Sequence, residues 1–202
     1  KRQLINGIGG NDLWRYDSPE LLPGLTFSAA YQATEQTGST SAYTDMGVSY
    51  SPEMLEGLTI AYATGEVDES TSETGDDVTG IDESTMWVTY ATGPITVGYQ
   101  QSEADGGTAT QDDDSTEFGI SYAITDDFSV SYGRADDTYD AQSNDKSGTE
   151  IADVDVEHKH IAASYSMGAM SIKAYRSEAS NINYDSDGAT RTKTEIALGL
   201  AF

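Results

Sequence analysis

The chain has 202 residues, no cysteine and a formal net charge of −25, which excludes a disulfide framework, a thiolate metal site and a cysteine nucleophile. With 35 Asp and Glu against 10 Lys and Arg it also excludes nucleic acid as a partner, because phosphate binding draws its affinity from cationic side chains. Mean hydropathy is −0.49 and no run approaches the roughly 18 apolar residues of a spanning helix, although strands that alternate in polarity cross a bilayer without such a run.

The opening Lys1-Arg2-Gln3-Leu4-Ile5-Asn6 lacks the charged start and apolar core of a signal peptide, so the amino end reads as processed or incomplete. From residue 13 onward, period-2 alternation dominates and predicts eleven strands. They fall at about 13–17, 25–34, 43–51, 58–66, 85–92, 94–103, 116–123, 128–135, 158–166, 169–178 and 193–202. Leu25, Phe27, Ala29 and Tyr31 share one face of the second, and Met46, Val48 and Tyr50 one face of the third. The same phase runs through Leu58-Ile60-Tyr62, Met86-Val88-Tyr90, Ile95-Val97-Tyr99, Phe118-Ile120-Tyr122 and Phe128-Val130-Tyr132. Ile161, Ala163 and Tyr165, then Met170, Ile172 and Ala174, and finally Ile196, Leu198, Leu200 and Phe202 complete it.

The opposite parity carries Thr26, Ser28, Asp45, Gln100, Glu117, His160, Lys173 and Glu195. One polar and one apolar face suit either a sandwich of two sheets or the wall of a transmembrane barrel. Connection lengths favour the barrel. Short turns at 51–57, 92–94, 123–127 and 166–169 alternate with long acidic connections at 66–84, 103–115, 136–157 and 178–192. An up-and-down barrel puts all short turns at one rim and all long loops at the other, whereas Greek-key crossings impose no such rhythm. Segments of about 8–10 residues approach the ~9–11 that a tilted strand needs to cross a bilayer. Tyr50, Tyr90, Tyr122 and Tyr165 end outward faces beside short turns, as in an aromatic girdle, and Phe202 is assigned to the same girdle. An odd strand count would put the two ends on opposite sides of the membrane, so an upstream part or a partner segment is expected to close the wall.

Two segments resemble a known family. Gly10-Asn11-Asp12-Leu13-Trp14-Arg15-Tyr16-Asp17-Ser18-Pro19, followed by Leu22-Pro23-Gly24-Leu25-Thr26-Phe27-Ser28, is similar to the stretch after the constriction loop of general porins. The likeness is to those of Rhodobacter-type α-proteobacteria. The end Leu198-Gly199-Leu200-Ala201-Phe202 looks like the terminal signature of outer-membrane barrels. The resemblance implies an all-β, up-and-down, sixteen-stranded barrel in a homotrimer, of which residues 1–202 supply the carboxy-terminal two-thirds as a single domain. The first five strands and most of the constriction loop would lie upstream.

A porin breaks no bonds, and no nucleophile elbow, phosphate loop or other enzyme signature is readable. The residues that matter are those that set lumen field and size: Arg15, Asp17, Gln100, Glu117, His160, Lys173 and Glu195. Arg15 reads as part of a basic wall or as a partner of Asp17, and Lys173 as a selectivity charge or a partner of Glu195. His158 and His160 share a face, a spacing that permits metal binding but supplies no third ligand. Arg134 and Arg176 have the lipid parity at the long-loop ends, where they snorkel or meet lipopolysaccharide. No cofactor is required. The runs Asp112-Asp113-Asp114, Asp153-x-Asp155 and Asp185-x-Asp187 are candidates for Ca²⁺ held by external loops, though none completes an EF-hand. The reading is an outer-membrane diffusion channel for ions and small polar solutes, with mild cation preference from its acidic loops. The competing reading is a secreted or surface-layer Ca²⁺-binding adhesion protein.

Overall fold

A computed structural model of the chain describes residues 13–33, 42–67, 70–71, 77–78, 80–106, 113–139, 154–182 and 188–200. The strands in chain order are β1 (Leu13–Asp17), β2 (Leu25–Gln32), β3 (Tyr43–Tyr50), β4 (Leu58–Val67), β5 (Ser70–Thr71), β6 (Asp77–Val78) and β7 (Ile81–Thr92). After them come β8 (Ile95–Gly106), β9 (Asp113–Ala123), β10 (Phe128–Tyr139), β11 (Val154–Met167), β12 (Met170–Ala179) and β13 (Arg191–Leu200). Eleven of these form one antiparallel sheet in strict chain order, β1-β2-β3-β4-β7-β8-β9-β10-β11-β12-β13, while β5 and β6 make a small separate hairpin. The eleven strands are those the alternation predicts.

Several strands run further than expected. β7 starts at Ile81, β10 ends at Tyr139 and β11 starts at Val154, well inside what reads as acidic loop. Charge complementarity explains the extension: Arg134 of β10 bridges to Glu157 of β11 at 2.8 Å, and the Thr138 hydroxyl donates to the Asp155 carboxylate. Polar cross-strand pairs sustain a ladder where the rim stands in water.

Register keeps every strand in phase. Leu58 pairs with Tyr90, Tyr90 with Val97, Val97 with Ile120, Ile120 with Tyr132 and Tyr132 with Ile161, so one apolar row crosses six strands. A slip of one residue anywhere would send one strand's apolar set to the other face.

The exposure of the two faces is the reverse of a water-soluble sheet. Buried Ala30, Tyr43, Ala61, Thr85, Ser102, Asp113 and Val156 all have the polar parity, as on the sheltered concave side of a curled sheet. The apolar parity is the open one: Met46, Val48, Tyr62, Phe118, Ile120, Tyr132, Ile161 and Leu198 are exposed, Ile161 by 60%. Among the described residues the strands touch only their neighbours in the sheet, and no second layer covers the apolar face. This removes the sandwich reading. On β11 the outward apolar run, Met167, Tyr165, Ala163 and Ile161, extends about 20 Å at ~3.4 Å per residue.

The tight turns cluster on one side and depend on glycine. Gly93 and Gly168 open the two-residue hairpins with φ of 53° and 57°, the left-handed region that a Cβ disfavours. Gly57 has φ 85°, and a Cβ there would sit 2.0 Å from the Ala91 carbonyl oxygen.

The two faces predict opposite tolerances at adjacent positions. Ile120→Arg, on the outward band, is expected to destabilise the protein by about 2–4 kcal/mol, whereas inward Ser121→Arg stays within about 1 kcal/mol. Urea unfolding from phospholipid vesicles measures both; equal costs would contradict the assignment of faces.

Candidate pore wall

The inward face divides by charge. From β2 to β10 its charged residues are Asp45, Glu83, Asp113, Glu117 and Asp137, with no inward Lys or Arg among the described residues. On β11 to β13 the same face carries His158, His160, Lys173, Arg191 and Lys193, with Glu195 as the acid among them. Each side chain is placed by the parity of its strand, so the division follows from which strands contribute acids and which bases. Asp45, Glu83, Arg191, Lys193 and Trp87 escape the sequence-based selection although the same parity includes them.

Arg15 forms a fork with Asp17, Nη2 to Oδ1 at 2.8 Å and Nε to Oδ2 at 2.9 Å, two residues apart on β1. Both side chains are 61% exposed, so the pair contributes little to stability. Gln100 donates to the Thr85 hydroxyl at 3.2 Å, and Thr85 and Ser102 share a buried hydroxyl contact of 3.0 Å. Lys173 stands opposite Ala197 rather than Glu195, which corrects the expected pair. The β12–β13 register puts Tyr175 opposite Glu195, and Glu195 accepts from the Tyr175 hydroxyl at 2.9 Å and from Lys193 at 2.9 Å. The Lys193 ammonium also lies 5.3 Å from the Tyr175 ring centroid.

Tyr50, Tyr122 and Tyr165 are exposed on the outward face beside the short turns, and Tyr90 lies half-buried in the same position on β7. Tyr165 meets Phe128 edge-on at 6.4 Å. Phe202 lies outside the described residues, as do Asp112, Asp153, Asp185 and Asp187. Asp113 and Asp114 belong to β9 and therefore point to opposite faces, and Asp155 belongs to β11. Above the apolar band, Arg134 pairs outward with Asp136 and Glu157 at 2.8 Å each, and Lys159 joins Glu157.

A recess interrupts the inward wall. Gly98 pairs with Gly119 and Gly119 with Gly133, so three neighbouring strands lack a side chain at one level. The next residue in that row, His160, lays its imidazole against Gly133, where a Cβ would come within 2.2 Å of Cε1. Trp87, Gln100 and Glu117, paired in the adjacent row, border the recess, whose volume is about 420 Å³.

That contact makes a specific prediction. Gly133→Ala is expected to cost at most about 1 kcal/mol, because the exposed His160 imidazole swings off the wall to make room, and His160→Ala in the same chain to remove that cost. A double-mutant cycle by urea unfolding in micelles measures it; purely additive effects would contradict the packing.

A family model described as Gram-negative porin matches residues 5–152. A search of curated proteins finds no match. Among solved structures, an anion-selective porin from Comamonas acidovorans superposes with a TM-score of 0.68 at 14% identity, covering 94% of this chain and 59% of that one. OmpF of Salmonella typhi, in complex with daunomycin, gives 0.67 at 13% identity, covering 93% and 61%. OmpT of Vibrio cholerae, expressed in the outer membrane, gives 0.62 at 14% identity, covering 93% and 64%. The chain thus spans under two-thirds of the length of these structures, and at such identities the likeness shows the fold.

Proposed function

The chain belongs to the Gram-negative porin family, and we propose that its sheet is the wall of a water-filled channel for ions and small hydrophilic solutes. It is an integral protein of the outer membrane, and family and fold are those of a channel rather than an enzyme. One observation carries the channel reading: the apolar face is bare, and the buried residues of β2 to β11 lie on the polar face. Hydrocarbon on the outside and water on the inside reconcile both faces with their surroundings. A secreted adhesin would have to leave the whole apolar face in contact with water.

The finer reading is a mildly cation-selective, sixteen-stranded homotrimer of the Rhodobacter type. The segment from Gly10 to Ser28 supports the subclass, and the family resemblance supports trimer and strand number. The acids of β3 to β10, without an inward Lys or Arg among the described residues of those strands, support the cation preference. The outward pairs of Arg134 and Lys159 suit the lipopolysaccharide headgroup zone, where their guanidinium and ammonium groups meet phosphate.

In planar bilayers the protein is expected to give stepwise conductance, and a KCl gradient a reversal potential that favours K⁺. Glu117→Gln lowers that preference and Lys173→Glu raises it. Preference for Cl⁻ would reject the selectivity, and absence of conductance would reject the channel.

A further inference from the structure

We propose that the recess across β8, β9 and β10 is a weak binding subsite for a small organic ammonium ion. The inference deepens the channel reading and rests on the inward face being wet.

Space comes first. Three adjacent inward positions, Gly98, Gly119 and Gly133, carry no side chain, and the resulting recess of about 420 Å³ falls within the ~300–1,000 Å³ of small-molecule sites. Glycine at Gly133 is tied to the imidazole lying on it, but Gly119 has no such neighbour: the nearest atom to a Cβ there is the Tyr132 carbonyl oxygen at 4.0 Å. The opening at Gly119 is therefore free space.

The border then selects a ligand. Trp87 of β7 offers an indole, whose negative face attracts cations within about 6 Å of its centroid. Glu117 of β9 places a carboxylate two strands away in the same row. Gln100 stands between them, its amide nitrogen donating to Thr85, so its carbonyl oxygen is the end available to an N–H donor. An aromatic face, a carboxylate and an amide oxygen favour a cation that carries apolar or N–H groups. On the far side of the recess stand the His158 and His160 imidazoles and Arg134, the last ion-paired with Asp136 and Glu157. The charged inward residues from β2 to β10 are acids, which raises the local concentration of such ions and turns anions away. A solvent-open site of this kind binds weakly, as a conducting channel requires, because a solute must leave as readily as it enters.

The test uses choline and its neutral isostere 3,3-dimethylbutan-1-ol on a protein with Trp14→Phe and with Phe at any tryptophan outside residues 1–202, so that Trp87 alone reports. Emission of Trp87 is expected to change saturably with choline in the millimolar range, and hardly at all with the isostere or with glucose. Glu117→Gln weakens the choline response about fivefold, the worth of a partly exposed ion pair. Gly119→Val places a side chain in the recess, where a Cβ meets nothing closer than 4.0 Å, and abolishes the response, while urea unfolding shows that the fold is kept. An equal response to choline and its isostere, a stronger response to glucose, or no effect of either substitution would overturn the subsite. KCl conductance recorded on the same preparation separates the two readings. A conducting protein without a choline response loses the subsite alone, whereas a protein that conducts nothing loses the channel as well.

Discussion

A sheet face of tyrosine, valine, isoleucine and methionine that touches no other protein layer is stable only where hydrocarbon replaces water. Val48, Ile60, Ile120 and Ile161 are exposed on such a face, and no second layer lies over them among the described residues. The remaining features follow from that requirement. Hydrocarbon accepts no hydrogen bonds, so each backbone amide within the band must find its partner in the ladder, and the simplest ladder joins each strand to the next. The strict chain order from β1 to β13 is that solution. Alternation then sends every second residue to the opposite face, which is free to be polar because it meets water.

Polarity on the inner face is organised as well as permitted. Acids without inward Lys or Arg line the described parts of β2 to β10, and bases gather on β11 to β13. Charges on a concave surface act on ions within about one Debye length, so this separation creates a field across the wall. Where charges sit close they neutralise one another locally, as Arg15 does Asp17 and Lys193 does Glu195. Glu117, beside a recess floored by glycine and bordered by Trp87, has a different setting from these paired groups. Local shape as well as charge sign determines where a solute pauses.

How much of this is legible in the residues depends on the distance over which each feature is encoded. Period-2 alternation is local, so all eleven strands and both faces can be read from segments such as Phe128-Val130-Tyr132. The turns are local too, since Gly93 and Gly168 mark the tight hairpins. Strand ends are less legible, because the polar stretches around Asp136 and Glu157 read as loop until the β10–β11 register, which sets Asp136 against Glu157, brings Arg134 to bridge Glu157. Register is not local at all. Glu195 looks like a partner for Lys173, but the β12–β13 pairing sets it against Tyr175 and brings it to Lys193. The glycine-floored recess is hidden for the same reason: Gly98, Gly119 and Gly133 lie far apart in the chain and share a level only once three strands are paired. Trp87, placed inward among outward Met86 and Val88, is the single local hint of that site.

The central claim is that hydrocarbon lies against one face and water against the other. Residues 1–202 hold no cysteine, so single cysteines placed among them report each face without background labelling from this segment. In the membrane-embedded protein, Ser131→Cys is expected to react with a charged, membrane-impermeant thiol reagent and to lower conductance when modified. Val130→Cys, one residue away on β10, is expected to resist the reagent and, carrying a fluorophore attached before reconstitution, to be quenched by nitroxide-labelled lipid. Reaction at position 130 with protection at 131, or protection of both, would contradict the account.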